Sequence, residues 1–586
     1  MSVFVIKNNN RVCDVCLDKK APKTAITAAG ELIRCLSIQC GTTPVLRTGA
    51  PKTGDICLGG KSEECEPDEL RLKVEDGILW VDGGIRGIFY GVYELLERLG
   101  CRFFAEDCEV FPEKEELTMP GDTDVVQKPV FEYRCTSWIG ATPGFTPKMR
   151  LNAVLFDTIP EAWGGDVSYE GFVHTLGELA EMEQRTDSDF GLYTDRQPCL
   201  TDENIYQTVM KNLRARLEKH PDASIASVSQ NDSHAWGRGC TCPNCQALDD
   251  AEGTPMGSLL PFVNRVAEEL EPEYPKLAID TLAYRYTRKI PKTLKARDNV
   301  IIRLCSLEGC FSHPLDECPV SMLDVEDGSF ADSLKSWADH SNRIYIWDYT
   351  TNFRNYHASF PNFRVLRRNL KFFADHHVKG VFEQGNSQSV NGEFGPLRTY
   401  LLSKLLWDPY MSEETYQRHM SEFMEAYYGV GAPKIRCFID RLQKAVEDTH
   451  FGIYFLDPTE VYQDPDAEGT RLERAESYLK KGRQEFADAL KEARTSLQRQ
   501  HIRLSEVQLD VYEWYLIHGK LEETKESDPG RKEAEEALRA AGRKLYSHAL
   551  AHGIKNMNED DGVNSLLTEE PDYLTPPYTW GIIPRN

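Results

Sequence analysis

The feature that most constrains this chain is a series of short apolar runs between residues 131 and 407, each separated from the next by a stretch long enough for a helix. Runs at 131–138, 152–156, 224–229, 278–284, 300–304, 343–347 and 380–382 read as strands, and an eighth falls near 197–200. Strands that alternate with helix-length segments build βαβ units and a parallel sheet. Eight such units in roughly 280 residues have the size of a (β/α)8 barrel, which presents its reactive groups where the strands end. The expected fold is therefore α/β: a (β/α)8 TIM-like barrel over 126–410, preceded by a small α/β domain over 1–125 and followed by an α-helical C-terminal region and tail over 411–586.

Residues 1–125 alternate short strand and helix patterns: strands at 3–6 and 55–58, a helix at 28–40, and a hairpin over 70–81 that turns at Asp76-Gly77. A helix over 86–99 comes next, with Ile88, Val92, Leu95, Leu96 and Leu99 at spacings of three and four and Gly100 as its stop. After residue 409 the pattern is helical, at 413–428, 434–448, 471–495, 502–518 and 532–552, with the charge density of amphipathic helices in a bundle. Pro571, Pro576, Pro577 and Pro584 predict an extended tail over the surface.

Function on a barrel is read at the C-terminal ends of its strands. Arg134 and Trp138 close the first run, Asp157 comes after the second, and Arg196 and Cys199 lie near the third. Asn231 and Asp232, Tyr284 and Tyr286, Arg303 and Glu308, then Trp347, Asp348 and Tyr349, and finally Glu383 and Gln384 complete the circuit. Carboxylates, aromatics and arginines together are the composition of a carbohydrate site, where aromatic faces stack on sugar rings and paired acids act on the glycosidic oxygen and water. Asp232, Glu308 and Glu383 are the candidate catalytic acids. Arg134, Trp138, Asn231, Tyr284, Tyr286, Arg303, Trp347, Asp348 and Tyr349 are the candidate substrate-binding residues. The plainer alternatives are that Asn231-Asp232 makes a turn, that Asp348 orders its loop, and that Asp157 and Asp280 are solvated or capping residues.

Cys240-Thr241-Cys242-Pro243-Asn244-Cys245 offers three soft ligands on one loop, whereas tetrahedral zinc takes four. The fourth is open among His234, Cys199, Cys305, Cys310 and Cys318, and free thiols are the alternative. A metal held this way is structural, so no cofactor is expected for catalysis. Walker, Rossmann, His-Glu-x-x-His and Gly-x-Ser-x-Gly patterns are missing from the sequence.

Composition excludes several partners. The net charge of −25 repels a polyphosphate backbone, so nucleic acid is not expected. No apolar run approaches the ~20 residues of a membrane helix, so no membrane partner is expected. Seventeen cysteines and a start without a signal-like segment lead us to expect a reducing, cytoplasmic setting. The flanking regions are expected to act as scaffold or homo-oligomer contacts.

Arg86-Gly87-Ile88-Phe89-Tyr90-Gly91-Val92-Tyr93-Glu94-Leu95-Leu96-Glu97, with Gly100-Cys101-Arg102-Phe103-Phe104, resembles the end of the small α/β domain that precedes the barrel in family 20 hexosaminidases and family 67 α-glucuronidases. Ser227-Val228-Ser229-Gln230-Asn231-Asp232 with the cysteine triplet resembles domain-of-unknown-function family 4838, as do Ile346-Trp347-Asp348-Tyr349-Thr350-Thr351-Asn352-Phe353 and Gly380-Val381-Phe382-Glu383-Gln384-Gly385. The resemblance implies a glycosidase-like barrel. Family 20 enzymes carry an adjacent Asp-Glu pair where this chain has Asn231-Asp232, whereas the dispersed acids are compatible with the separated acids and inversion of family 67. The expectation is an exo-acting glycoside hydrolase on oligosaccharides containing uronic acid or N-acetylhexosamine, using paired carboxylates. The rival is a non-catalytic carbohydrate-binding protein on the same barrel, and a third reading makes the cysteine loop a metal or redox sensor.

Overall fold

A computed structural model of the chain describes residues 3–9, 11–19, 21–60, 65–155, 157–182, 197–232, 239–323, 328–390, 392–559 and 571–580. The chain divides into two compact units, the first made of 1–136, 140–166 and 399–411, the second of 137–139, 167–398 and 412–586.

In the first unit a six-stranded mixed sheet runs in the order Asp124–Gln127, Leu70–Glu75, Ile78–Gly83, Ile56–Leu58, Val15–Leu17, Leu46–Thr48. Its hairpin turns where expected: Asp76 and Gly77 both take positive φ, 54° and 74°, as a tight two-residue turn requires. Helices Lys23–Cys40 and Gly87–Arg98 supply the apolar cover. The second starts on a glycine for a steric reason: a Cβ on Gly87 would lie 1.8 Å from the Glu69 carbonyl oxygen. A buried ionic cluster joins Asp68 to Arg86 at 2.6 Å and to Arg134 at 3.5 Å, with Asn152 donating to Asp68 at 3.0 Å. The strand expected at 152–156 does not form. The Asn152 N–H donates to the Arg134 carbonyl, but its side chain takes the next partners, accepting from the Arg134 amide and donating to the Glu132 carbonyl, and residue 156 lies outside the described residues.

The second unit holds six parallel strands, each beside its predecessor: β1 (Tyr169–Glu170), β2 (Ile225–Ser227), β3 (Ala278–Ala283), β4 (Val300–Cys305), β5 (Ile344–Tyr349) and β6 (Gly380–Gln384). All six residues of β3 and of β4 are buried, the pattern of strands covered on both faces. Helices Glu203–Lys219, Pro243–Glu252, Met256–Leu270, Phe330–Ala338 and Phe363–Asp375 fill the crossovers. Backbone bonds from Ser137 to Glu383 and from Ile139 to Asn386 extend the β6 edge. The eighth strand expected near 197–200 is not one: Gln197 exchanges side-chain hydrogen bonds with the Asn231 backbone, and short β1 takes the place beside β2. The eight-stranded barrel read from the sequence is thus a shorter parallel sheet among the described residues.

Helices Glu413–Tyr428, Ala432–Ala445, Arg471–Glu492, Ser496–Glu523 and Arg531–Ala551 complete the unit, two of them opened by reciprocal capping boxes, Thr470 with Glu473 and Thr495 with Gln498. Residues 571–580 correct the expectation of a surface tail where they are described; Pro584 lies outside the described residues. Tyr573 and Trp580 are buried against Trp514, whose indole N–H donates to the Tyr573 carbonyl at 2.9 Å, because two aromatics this large are worth more inside than out.

Candidate functional site

Alternation along the strands decides which side chains share a face. In the second unit Asp280, Arg303, Trp347 and Phe382 point to one face and form a closed layer. Arg303 bonds Asp280 at 2.6 Å and lies 4.4 Å from the Phe172 ring and 5.1 Å from the Trp347 ring, while Phe172 and Trp347 both pack on Phe382. Asp280 is thus neither solvated nor a cap. Burial pushes its carboxyl up to about 6 against the pull of Arg303.

One step toward the C-terminal strand ends, the same face opens. Asp232 lies beyond β2 with 24% of its side chain exposed, and His174 Nε2 lies 3.9 Å from its Oδ2. His174 Nδ1 sits 2.7 Å from the Gln230 carbonyl, which only an N–H can bond, so Nε2 turns toward the acid. Burial lowers the His174 pKa despite Asp232. Tyr284 and Arg285, at the end of β3, lie in the field of the same carboxylate. His174 and Arg285 both hold positive φ, 55° and 49°, strain of the kind that collects at working sites.

Across the opening, Trp347 and Tyr349 stack at 6.4 Å, and Phe353 bridges Tyr349 to Tyr454. The Trp347 indole donates to Gln384 Oε1 at 2.7 Å, and Gln384 Nε2 donates to Glu559 at 3.0 Å, the one amide orientation that both partners allow. The Tyr454 hydroxyl lies in the field of both Asp232 and Glu559, with Arg285 near. The open end of the sheet is therefore two carboxylates, a neutral imidazole, a guanidinium and an aromatic wall.

The structure sorts the expected residues unevenly. Asp232, Tyr284, Trp347 and Tyr349 come together there. Glu308 is buried 3.9 Å from the buried Arg288. Glu383 and Asp348 face each other in register on β6 and β5, but on the opposite face from Trp347 and Gln384. Burial raises both carboxyls, Asp348 to about 6 and Glu383 further, where the like charge of Asp348 adds to the effect, while Ser306 donates to Asp348. Arg134 lies in the first unit on Asp68, fully buried. Trp138 is buried with its N–H on Thr350. Arg303 is in the closed layer, Asn231 is occupied holding the Gly177 amide, and Tyr286 is half-buried by Gly239. Asp157 accepts from the Thr158 amide. Arg196 and His234 lie outside the described residues.

His174, Arg285, Tyr454 and Glu559 were not anticipated. Arg285 sits between two tyrosines that were, whereas His174 comes after a two-residue strand too short to show a period. Tyr454 and Glu559 come from the helical region, where nothing in the spacing points to the sheet.

The cysteine triplet gains its fourth member from Cys199. The four Sγ atoms lie within 4.8 Å of one another, with Cys199 3.6 Å from Cys242 and 3.9 Å from Cys245. Four thiolates about 2.3 Å from a tetrahedral ion would stand about 3.8 Å apart, so the set fits. Cys305 is buried under Tyr349, and Cys310 and Cys318 belong elsewhere.

No curated protein matches the sequence. Among solved structures, the fold is similar to that of a family GH115 4-O-methyl-alpha-glucuronidase, BtGH115A, with a TM-score of 0.60 and 13% identity over 94% of this chain and 78% of that one. A GH138 enzyme targeting pectin rhamnogalacturonan II matches at a TM-score of 0.45 and 10% identity, covering 93% of each chain. The GH20 beta-N-acetylhexosaminidase from Streptomyces coelicolor A3(2) matches at 0.45 and 12%, covering 73% and 95%. On the GH115 likeness, the fold is glycoside-hydrolase-like. Among the described residues no helix is long and apolar enough to cross a membrane. A family model matches residues 103–440, more than half of the sequence, and the chain belongs to that family, the domain of unknown function DUF4838.

Proposed function

We propose that the protein is an exo-acting glycoside hydrolase for oligosaccharides that carry a uronic acid. The observation that carries this reading is that Asp232 and Glu559 both act on the Tyr454 hydroxyl beyond the strand ends, with Arg285 in the field of Asp232 and Tyr454. Two carboxylates around one opening supply the acid and base of glycoside hydrolysis, the aromatic wall gives a sugar ring its stacking face, and a guanidinium suits the carboxylate of a uronic acid. A uronic acid is also the sugar in the name of the GH115 neighbour, a likeness that concerns fold. Inversion would require the two carboxyls to stand about 6.5–9.5 Å apart, wide enough to admit a water.

The test is a panel of aryl glycosides of uronic acids and N-acetylhexosamines. Asp232→Asn and Glu559→Gln should each lower kcat by about 10²- to 10⁴-fold. Proton NMR of the first-formed anomer should show inversion, and product lengths should show release from chain ends. Sugar binding without turnover across the panel would instead favour the carbohydrate-binding reading, and preference for N-acetylhexosaminides would remove Arg285 from substrate recognition.

The Cys199, Cys240, Cys242 and Cys245 set supports a structural zinc. Four thiolates leave no open position, so the ion would tie 240–245 to Cys199 without entering the chemistry. Elemental analysis of protein purified without chelator, compared with Cys242→Ser, tests it.

A further inference from the structure

A second group of soft donors stands apart from the triplet. Cys310, His313 and Cys318 lie in the loop after β4, and His450 lies beyond helix Ala432–Ala445; one ligand atom from each falls within 4.8 Å of all the others. His450 Nδ1 is 3.3 Å from the Cys310 sulfur and 3.5 Å from the Cys318 sulfur, and His313 Nδ1 is 3.4 Å from Cys310. A tetrahedral ion with sulfur at about 2.3 Å and nitrogen at about 2.05 Å separates S from N by about 3.5 Å.

The surrounding hydrogen bonds settle which ring nitrogen is available. His313 Nε2 lies 2.7 Å from the Glu447 carbonyl, so that nitrogen carries the proton and Nδ1 keeps its lone pair, the arrangement that orients metal-bound imidazoles. Ser312 donates its hydroxyl proton to the Thr449 carbonyl, yet its oxygen lies 3.1 Å from His313 Nδ1. Two acceptors that close need a cation between or beside them. A proton on His313 would serve that contact alone. It would not explain why two sulfurs and a second imidazole nitrogen, from a segment more than a hundred residues away, converge on the same point.

We propose that Cys310, His313, Cys318 and His450 bind a zinc ion as a second structural site, independent of the four-cysteine set and of the glycosidase reading. Two thiolates and two neutral imidazoles close the tetrahedron, so the site holds rather than reacts. Cys310 is buried while His450 is exposed, which gives the ion a way in. The clamp lies at a useful place. Cys310 is two residues beyond Glu308, His450 is four before Tyr454, and the two segments already share the Phe311 to Phe451 backbone bond at 3.0 Å. A metal here would fix the Tyr454 side of the opening.

Full-length protein purified under reducing conditions without chelator should lose one equivalent of zinc on Cys310→Ser and on His450→Asn, while Cys242→Ser should leave this equivalent in place. X-ray absorption of the zinc in wild-type protein should show imidazole nitrogen, which the four-cysteine set lacks, so the result stands even if a variant fails to fold. Hydrogen exchange across 450–455 should rise at least tenfold when the metal is stripped. Equal zinc in wild type and both variants, zinc surrounded by sulfur alone, no zinc, or a Cys310–Cys318 disulfide in the reduced preparation would each overturn the proposal.

Discussion

Replacing Asp348 with asparagine should make the protein more stable at neutral pH and leave it unchanged in acid. Asp348 and Glu383 sit side by side on β5 and β6, both buried, and burial lifts the Asp348 carboxyl from an ordinary 3.8 to about 6. An acid whose pKa is raised by folding is held neutral in the native state, so the native state binds more protons than the unfolded one and stability falls as pH rises. The loss begins near pH 4 and is complete above about pH 6, and the rise corresponds to about 3 kcal/mol. Asparagine keeps the oxygen that accepts from Ser306 and presents an N–H₂ toward Glu383, so it also eases the raised carboxyl of that neighbour. Urea unfolding followed by tryptophan fluorescence, repeated from about pH 4 to pH 8, should show the variant equal to wild type at the acid end and up to about 3 kcal/mol more stable at the other. A difference that does not change with pH, or a variant weaker at pH 8, would refute the argument. Because the pair faces away from Asp232, turnover of any glycoside should survive the change.

Three further outcomes are expected. Gly385→Ala places a Cβ 2.3 Å from the Trp138 indole, which Thr350 holds by its N–H, so thermal unfolding should show a loss of about 1–3 kcal/mol or more. Arg398→Met leaves Glu393 buried without the guanidinium now 2.5 Å away and should cost about 3–5 kcal/mol, most of it recovered in the Arg398→Met/Glu393→Met double variant, as denaturation of all three proteins would report. Cys199→Ser should lower zinc content as fully as Cys242→Ser does, in elemental analysis of proteins prepared side by side.

The parallel strands were legible because 278–284, 300–304 and 343–347 are mostly apolar in spite of Asp280, Thr281, Arg303 and Arg343, a pattern that strands buried on both faces produce. The runs at 152–156 and 197–200 misled because Asn152 and Gln197 satisfy backbone groups with their side chains, which composition does not reveal. Strand ends led to Asp232, Tyr284 and Trp347, which the structure brings to one end of the sheet. They could not separate Trp347 from Asp348, or Gln384 from Glu383, since adjacent residues face opposite ways and the register that decides between them is a property of the folded sheet. Glu559 lies more than 170 residues beyond Gln384, and no local pattern announces that the two meet.

That meeting changes what counts as the unit of inheritance. The family match stops at residue 440, yet Tyr454 and Glu559 lie beyond it. A relative whose chain aligned through 440 and diverged afterwards would keep the sheet, Asp232 and Arg285 while exchanging one wall of the opening and one of its two acids. On the proposed reading, variation after 440 would change chemistry on a constant scaffold, and a fragment ending at the family boundary would carry half of the proposed site.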